Sequence, residues 1–222
     1  MARMTAWLDR ITYRVKLLLP GAYWVLAWGN ALGTRLLYGR RIRLTRLEAK
    51  VEGFVGGDPA VVRPLGPADL ETLHDMIAAI PEDHLRFFHP HGLDRNALHR
   101  VLQSRTILTF GMFVRQRLVG YALLKLFANR TAYAGRLIHP EYAGAGLGRY
   151  LIHYLYHIGF RLGFRIRATI SRENMACLRS HAAVRPLRIL ASLPNNFQLV
   201  EYNQLPSDAD LPVLAIASAE CH

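Results

Sequence analysis

The sequence has few cysteines, few acidic residues and no long uninterrupted apolar segment. Its two cysteines, Cys177 and Cys221, provide neither a disulfide framework nor the ligand spacing of a metal site. The sequence therefore predicts no metal and a reducing compartment. Residues 17–34 carry no charge and have about the minimum length of a membrane helix, but Pro20, Gly21 and three further glycine or asparagine residues argue against a stable span.

The first residues also lack the pattern of a signal peptide. Asp9 interrupts the segment, and no small-residue cleavage site follows an apolar core. We therefore expect a cytoplasmic protein, with a peripheral position at the membrane as the alternative.

Positive charge is abundant. Lys and Arg number 28 against 16 Asp and Glu, which leaves a net charge of +12. This excess indicates an acidic partner, and the candidates are a phosphorylated cofactor, an anionic membrane surface, an acidic carrier protein or nucleic acid. With 222 residues and 51% hydrophobic residues, the chain is long and apolar enough for one domain with an extension.

Residues 1–52 are predicted to be a basic, amphipathic helical extension. Apolar residues recur at helical spacing over residues 4–18, a second helix is predicted over 22–38, and residues 1–50 contain ten Lys and Arg against two acids. The extension is interpreted as a helical hairpin that packs on the domain or on a second copy in a homodimer. Docking on an anionic membrane surface or an acidic carrier protein is the alternative. Nucleic acid is the weakest candidate, because no recognised binding module accompanies the charge.

Residues 61–205 alternate between strand-like and helix-like patterns. Residues 53–60 are predicted to be a linker, and residues 206–222 a peripheral tail. Strands are predicted over residues 61–65, 107–115, 118–127, 131–139, 166–171, 187–193 and 197–202. Helices are predicted after Pro67 and over residues 94–103, 147–162 and 175–183.

The most informative stretch is residues 136–151. An apolar strand ends at Pro140, three glycines follow at every second position (Gly144, Gly146 and Gly148), and a long helix begins at Leu147. Glycines allow a ligand to approach the backbone closely, and the start of a helix leaves amide N–H groups unpaired. The arrangement predicts a site for an anion, and phosphate suits it best.

Here the chain resembles the GCN5-related N-acetyltransferase (GNAT) family. The resemblance is carried by His139-Pro140-Glu141-Tyr142, by the three glycines, and by Asn174, which opens a helix one strand later. It extends more loosely over residues 61–205. It implies an α+β fold with a mixed, mostly antiparallel central sheet of about six to seven strands flanked by helices.

The resemblance also implies acetyl-CoA as co-substrate, held between two strands that part from each other. Its pantetheine arm is expected along Leu137, Ile138 and His139, and its diphosphate on backbone amides of the turn. The cofactor-binding residues are thus expected to be Leu137, Ile138, His139, Ala143, Gly144, Ala145, Gly146, Leu147, Gly148, Arg149 and Asn174. The chain departs from the motif at Ala143, where the family usually has Arg or Gln.

The sequence identifies the catalytic residues less clearly than the cofactor-binding residues. The predicted strand 131–139 lacks the carboxylate that the family often places there, so the candidates for the base are His89, His91, Glu141 and, in an equally generic place, His139. The family's leaving-group acid is usually a Tyr seven residues after the Asn, and that position is His181 here. Each of these residues also has a plain structural interpretation, as a surface histidine, a turn residue or part of a helix face.

The resemblance favours an enzyme, an N-acetyltransferase that moves acetyl from acetyl-CoA to a primary amine by direct attack. The acceptor is expected to be a small molecule, an amino sugar or another small amine, while a protein N-terminus or lysine stays open. Arg86, His89, His91 and Arg95 favour an acceptor with an anionic part, such as a nucleotide-linked sugar. Two alternatives stay open. One is an acyltransferase that takes its acyl group from an acyl carrier protein. The other is a non-catalytic module that binds CoA or a membrane.

Overall fold

The structure, a computed structural model, describes residues 20–202 and 211–217, with side chains from residue 28 onward. The helix predicted over residues 4–18 lies outside these residues, as does most of the predicted tail. The helices are α1 (Pro20–Leu47), α2 (Leu70–Ala78), α3 (Glu82–Leu85), α4 (Arg95–Leu102), α5 (Leu147–Arg161) and α6 (Met175–Ala182). The strands are β1 (Val51–Val55), β2 (Asp58–Pro64), β3 (Ile107–Val114), β4 (Arg117–Phe127), β5 (Thr131–Ile138), β6 (Arg165–Ser171), β7 (Leu187–Leu193), β8 (Phe197–Tyr202) and β9 (Leu214–Ile216).

The strands described form one mixed sheet in the order β7-β8-β6-β5-β4-β3-β2-β1-β9. The β5–β6 and β1–β9 pairs are parallel, and the remaining neighbours are antiparallel. A mostly antiparallel sheet flanked by helices confirms the predicted fold class. The strand predictions between residues 107 and 202 agree with the structure to within a residue or two.

The two faces of the sheet carry separate apolar cores because side chains alternate along each strand. Tyr121 and Leu123 of β4 pack with α2 and α4, whereas Ala122 and Leu124 pack with α5 on the opposite face. Helix α5 is buried along most of its length. It lies against the sheet so closely that a β-carbon on Gly159 would be 2.1 Å from a methyl carbon of Ile166.

The prediction of a linker over residues 53–60 is wrong, because these residues belong to the β1–β2 hairpin. Gly56 and Gly57 have φ angles of +59° and +85° and make the tight two-residue turn that joins antiparallel strands. Gly53 lies inside β1 because β9 passes close by: a β-carbon there would be 1.8 Å from the carbonyl oxygen of Leu214. The glycines that resemble a linker are therefore required by the hairpin and by strand packing.

Two further elements differ from the sequence prediction. Helix α1 runs nine residues beyond the predicted end at residue 38. It includes five of the ten Lys and Arg residues of residues 1–50. Within the predicted tail, Leu214–Ile216 is a strand at the sheet edge, and Leu214 is buried, so this part of the chain is not peripheral. The sequence prediction has seven strands; β1 and β9 are the two that it lacks, and with them the described sheet has nine strands.

Within residues 20–202 and 211–217, no helix is both long and apolar enough to cross a membrane.

Candidate active site

The central feature of the site is a parting of β5 and β6. The two strands pair over only three residues, from Thr131 with Arg165 to Tyr133 with Arg167. Beyond that point β5 continues beside β4, and β6 continues beside β8. The edge of β5 from Ala134 to Ile138 is consequently unpaired on the β6 side, where its backbone groups are available to a ligand.

The glycine turn lies at the end of this parting. Gly144 and Gly146 have φ angles of +82° and +85°, which L side chains rarely adopt, and Gly146 is the N-terminal cap of α5. Gly146 provides no side chain to cap this helix end, and the first turn of α5 contains no acidic residue. Its amide N–H groups and the positive end of its dipole therefore stay available to an anion.

A cavity of about 500 Å³ opens beside this helix end. Its walls include Gly144, Ala145, Gly146, Arg149, His153 and, from the C-terminal strand, Ile216. Arg149 is exposed, as are Ala143 and Gly144. The start of α5 is thus accessible, and the guanidinium of Arg149 adds a positive charge to the cavity.

Arg136 of β5 is a residue that sequence reasoning missed. Its guanidinium packs on the first turn of α5, with the central carbon 3.3 Å from where a β-carbon on Gly148 would lie. The buried Nε has no hydrogen-bond acceptor among the residues that the structure describes. An arginine after two small residues in a strand next to the turn was the available signal, but a strand arginine is usually solvent-facing and gave no reason to choose it.

His181 of α6 lies in a buried cluster with two tyrosines. Its Nδ1 is 3.0 Å from the Tyr156 hydroxyl and forms a short hydrogen bond with the Tyr202 hydroxyl. Burial, together with the positive charge of Arg136, lowers the pKa of His181 to about 3. Burial raises the pKa of Tyr156 and Tyr202 well above the usual range. At neutral pH the imidazole is therefore uncharged, and any proton it donates must leave the neutral ring.

His91 lies on the opposite face of the sheet. Its Nδ1 is 2.7 Å from the carbonyl oxygen of Gly92, to which it donates, and its Nε2 is 2.9 Å from the Tyr121 hydroxyl. Burial lowers the pKa of His91, with a smaller contribution from Lys125. The ring is consequently neutral near pH 7, and the lone pair of Nε2 accepts a hydrogen bond from the Tyr121 hydroxyl. His89 is exposed, and its Nε2 is 2.8 Å from the carbonyl oxygen of Arg86.

Glu141 and His139 are joined through Arg117. The Arg117 guanidinium donates to the Glu141 carboxylate at 2.6 Å and lies 3.4 Å from Nε2 of His139. The hydrogen bond from Arg117 holds the pKa of Glu141 below its usual range. A carboxylate stabilised in its charged form is a weaker base. His139 is buried and caps the short 3₁₀ turn Pro140–Tyr142, accepting from the Glu141 N–H at 3.4 Å.

The remaining predicted residues are spread over both faces of the site. The side-chain oxygen of Asn174 accepts from the Cys177 N–H at 2.9 Å and caps α6. Leu137 is buried on the α2–α4 face, while Ile138 packs on the α5 face. Leu147 is buried, and Gly148 leaves room for Arg136. The structure thus gathers the turn residues at one cavity and separates His91 and His181 to opposite faces.

A parted pair of strands that leads to a helix start without a side-chain cap has the form expected of a site for an elongated ligand with an anionic group. The chain belongs to the acetyltransferase (GNAT) family, whose family model matches residues 73–183, half of the chain. No curated protein sequence matches the chain.

Solved structures share the fold at low sequence identity. The GNAT domain of S. lividans PAT superposes with a TM-score of 0.62 at 13% identity, over 70% of this chain and 97% of that domain. The PaiA N-acetyltransferase of Thermoplasma acidophilum, in complex with coenzyme A, has a TM-score of 0.55 at 20% identity, over 64% and 98% of the two chains. Aminoglycoside acetyltransferase AAC(6')-Ib, in complex with coenzyme A and kanamycin, has a TM-score of 0.53 at 14% identity, over 65% and 94%.

Proposed function

We propose that this protein transfers an acetyl group from acetyl-CoA to the primary amine of a small molecule. The observation that carries the proposal is the uncapped start of α5 beside the gap between β5 and β6. The gap has the form needed for an extended thioester arm, and the helix start has the donors needed for a diphosphate. Membership in the acetyltransferase family and the CoA complexes of similar structures support the same donor.

The diphosphate would bind to the amides of residues 144–149, with positive charge from two sides. Arg149 is in the cavity wall, and Arg136 lies against the same helix turn. A half-buried guanidinium with a buried Nε, next to the positive end of a helix, is unfavourable unless an anion joins them. Arg136 therefore takes the place of the arginine or glutamine that is absent at Ala143.

The alternation of side chains along β5 supports an assignment of the two substrates to different faces of the sheet. Arg136 faces α5 and α6, where His181 lies, whereas Leu137 faces α2–α4, where His91 and Tyr121 lie. We assign the CoA thiol to the first face and the amine acceptor to the second. The gap between β5 and β6 joins the two faces and allows them to meet.

The reaction is a direct displacement. The neutral amine attacks the thioester carbonyl, the new C–N bond forms as the C–S bond breaks, and the amine proton leaves to a base. His91 is the preferred base because its ring is neutral; its Nε2 accepts a hydrogen bond from the Tyr121 hydroxyl, so the amine proton would pass to the Tyr121 oxygen as the tyrosine proton moves to Nε2. The departing thiolate would accept a hydrogen bond from neutral His181 or from Tyr202 and take its proton from solvent.

Two measurements test this function. Calorimetry with CoA should give micromolar binding, and an amine panel with detection of the released thiol should identify acceptors. Micromolar CoA binding without transfer to any amine would support a non-catalytic CoA-binding module. Turnover with an acyl carrier protein but not with acetyl-CoA would support the carrier-dependent acyltransferase. An absence of CoA binding would contradict all CoA-dependent versions of the proposal.

A further inference from the structure

Helix α1 is fixed to the domain in one orientation. Asn30 accepts from the Ala128 N–H at 3.0 Å and donates to the Leu126 carbonyl oxygen at 3.2 Å, and Arg46 donates to the Leu65 carbonyl oxygen at 3.1 Å. On the same side of the helix Ile42 and Thr45 are buried. The opposite side therefore faces away from the described part of the domain.

That opposite side carries large apolar residues. Positions 32, 36, 40, 43 and 47 recur at three- and four-residue intervals and form one stripe, which we call the outer stripe; its residues are Leu32, Leu36, Arg40, Arg43 and Leu47. Leu36 and Leu47 are 75% and 76% exposed. Leu37 and Leu44 flank the stripe and are also exposed, as is Trp28 near its start. Apolar residues exposed so fully along one helix indicate a binding surface.

The charge of the helix narrows the choice of partner. Arg35, Arg40, Arg41 and Arg43 are exposed, and the sequence of α1 contains no acidic residue. If the outer stripe packed against itself in a symmetric dimer, the arginines of both copies would meet without a carboxylate between them. A second copy on this stripe is therefore disfavoured, and an anionic partner is favoured.

The pattern of the stripe favours a lipid surface over an acidic protein. Protein interfaces concentrate apolar residues at a centre and place charges at the rim. Here Arg40 and Arg43 lie within the stripe, between Leu36 and Leu47. The whole helix has 28 residues and is about 42 Å long. Arginine stems lie along acyl chains while their guanidinium groups reach phosphate, so interleaved leucine and arginine suit a headgroup layer.

We propose that the outer stripe of α1 binds the surface of membranes that contain anionic lipids, with the helix parallel to the membrane plane. The surface is separate from the CoA site, so membrane binding requires neither CoA nor acceptor. The ten basic residues among the first 50 add to the attraction.

The test is co-sedimentation of the full-length protein with vesicles of phosphatidylcholine, with or without phosphatidylserine. The natural protein should sediment with the phosphatidylserine vesicles at least about 10-fold more strongly than with phosphatidylcholine alone. The double variant Leu36→Gln/Leu47→Gln, which removes apolar contacts, should lose most of this binding. The double variant Arg40→Gln/Arg43→Gln should also lose most of the vesicle binding, and the binding that remains should depend less on salt concentration.

Matched controls carry the same changes elsewhere on the surface. Ile189→Gln/Val213→Gln replaces exposed apolar residues outside α1, and Arg100→Gln/Arg105→Gln removes exposed arginines of the α4 region. Both controls should sediment as the natural protein does. Circular dichroism and CoA calorimetry should show that all four variants are folded.

Three results would overturn the proposal. The first is absence of binding to phosphatidylserine vesicles by the natural protein. The second is binding that the outer-stripe variants lose no more than the controls do. The third is a concentration-dependent dimer, or a complex with an acidic carrier protein, that the outer-stripe variants abolish while vesicle binding persists.

Discussion

The guanidinium carbon of Arg136 lies 3.3 Å from the position that a β-carbon on Gly148 would occupy. The contact joins β5 to the first turn of α5, and a side chain at 148 would require the guanidinium to shift by a few tenths of an ångström. Because the buried Nε has no acceptor in the described part of the chain, the guanidinium retains hydrogen-bonding capacity beside the cavity.

Arg136→Met should weaken CoA binding roughly 10- to 100-fold, since a hydrogen bond to a charged group contributes about 1.5–3 kcal/mol. Calorimetry with CoA measures the loss. Pantetheine, which lacks the diphosphate, is the matched ligand and should bind both proteins equally. The unfolding midpoint should stay the same or rise, because the variant removes a half-buried cation whose Nε has no acceptor in the described part of the chain. If the Arg136→Met variant folds and its CoA affinity is unchanged, Arg136 does not contribute to CoA binding.

Gly146→Val should abolish CoA binding. The residue has a φ of +85°, and a branched side chain there would enter the space of the diphosphate and strain the backbone by about 1–2 kcal/mol. Gly163→Val is the control, because Gly163 has a φ of +78° but follows the opposite end of α5. The control should lose stability while its CoA affinity persists. If Gly146→Val folds and binds CoA normally, the diphosphate lies elsewhere.

His181 should make the protein sensitive to acid. The folded protein keeps this ring neutral down to a pKa of about 3, whereas the unfolded chain protonates it near 6.5. The folded pKa is thus lowered, so stability is full above pH 6.5 and falls as the pH drops toward 3. Acidification from about pH 7 to about pH 5 should therefore lower the free energy of unfolding by about 2 kcal/mol through this residue.

Urea unfolding at the two pH values measures this effect. His181→Gln keeps an acceptor for the tyrosine hydroxyls but does not titrate, so its loss of stability on acidification should be smaller by that amount. Equal losses in the two proteins would show that the ring is not held neutral by burial.

His91→Gln should lower kcat roughly 100- to 10,000-fold if this ring is the base, with CoA affinity unchanged. Because burial lowers the pKa of His91, the rising limb of kcat/KM against pH should lie below 6.5 in the natural protein and disappear in the variant. His84→Gln, an exposed histidine of α3, is the control and should leave both quantities unchanged. If His89→Gln or Glu141→Gln lowers kcat instead, and His91→Gln does not, the substituted residue is the base in place of His91.

The order of elements and the glycine turn follow from local sequence. The strands between residues 107 and 202 alternate or run apolar, and the turn at 140–148 has proline and glycine where a strand gives way to a helix. Such patterns act within a few neighbouring residues, so they are visible without the fold. The β1–β2 hairpin escaped prediction because Gly53, Gly56 and Gly57 also suit a linker, and only the approach of β9 explains them.

The sequence by itself determined the family and the sheet class, and it predicted the place of an anion site, because each depends on spacing along the chain. Only the tertiary structure decided that Arg136 packs against α5, that His181 is buried with two tyrosines, and that His91 lies across the sheet. These facts depend on residues 12 to 30 positions apart meeting in the fold. Burial and charge at such meetings set the pKa values, and no local pattern contains them.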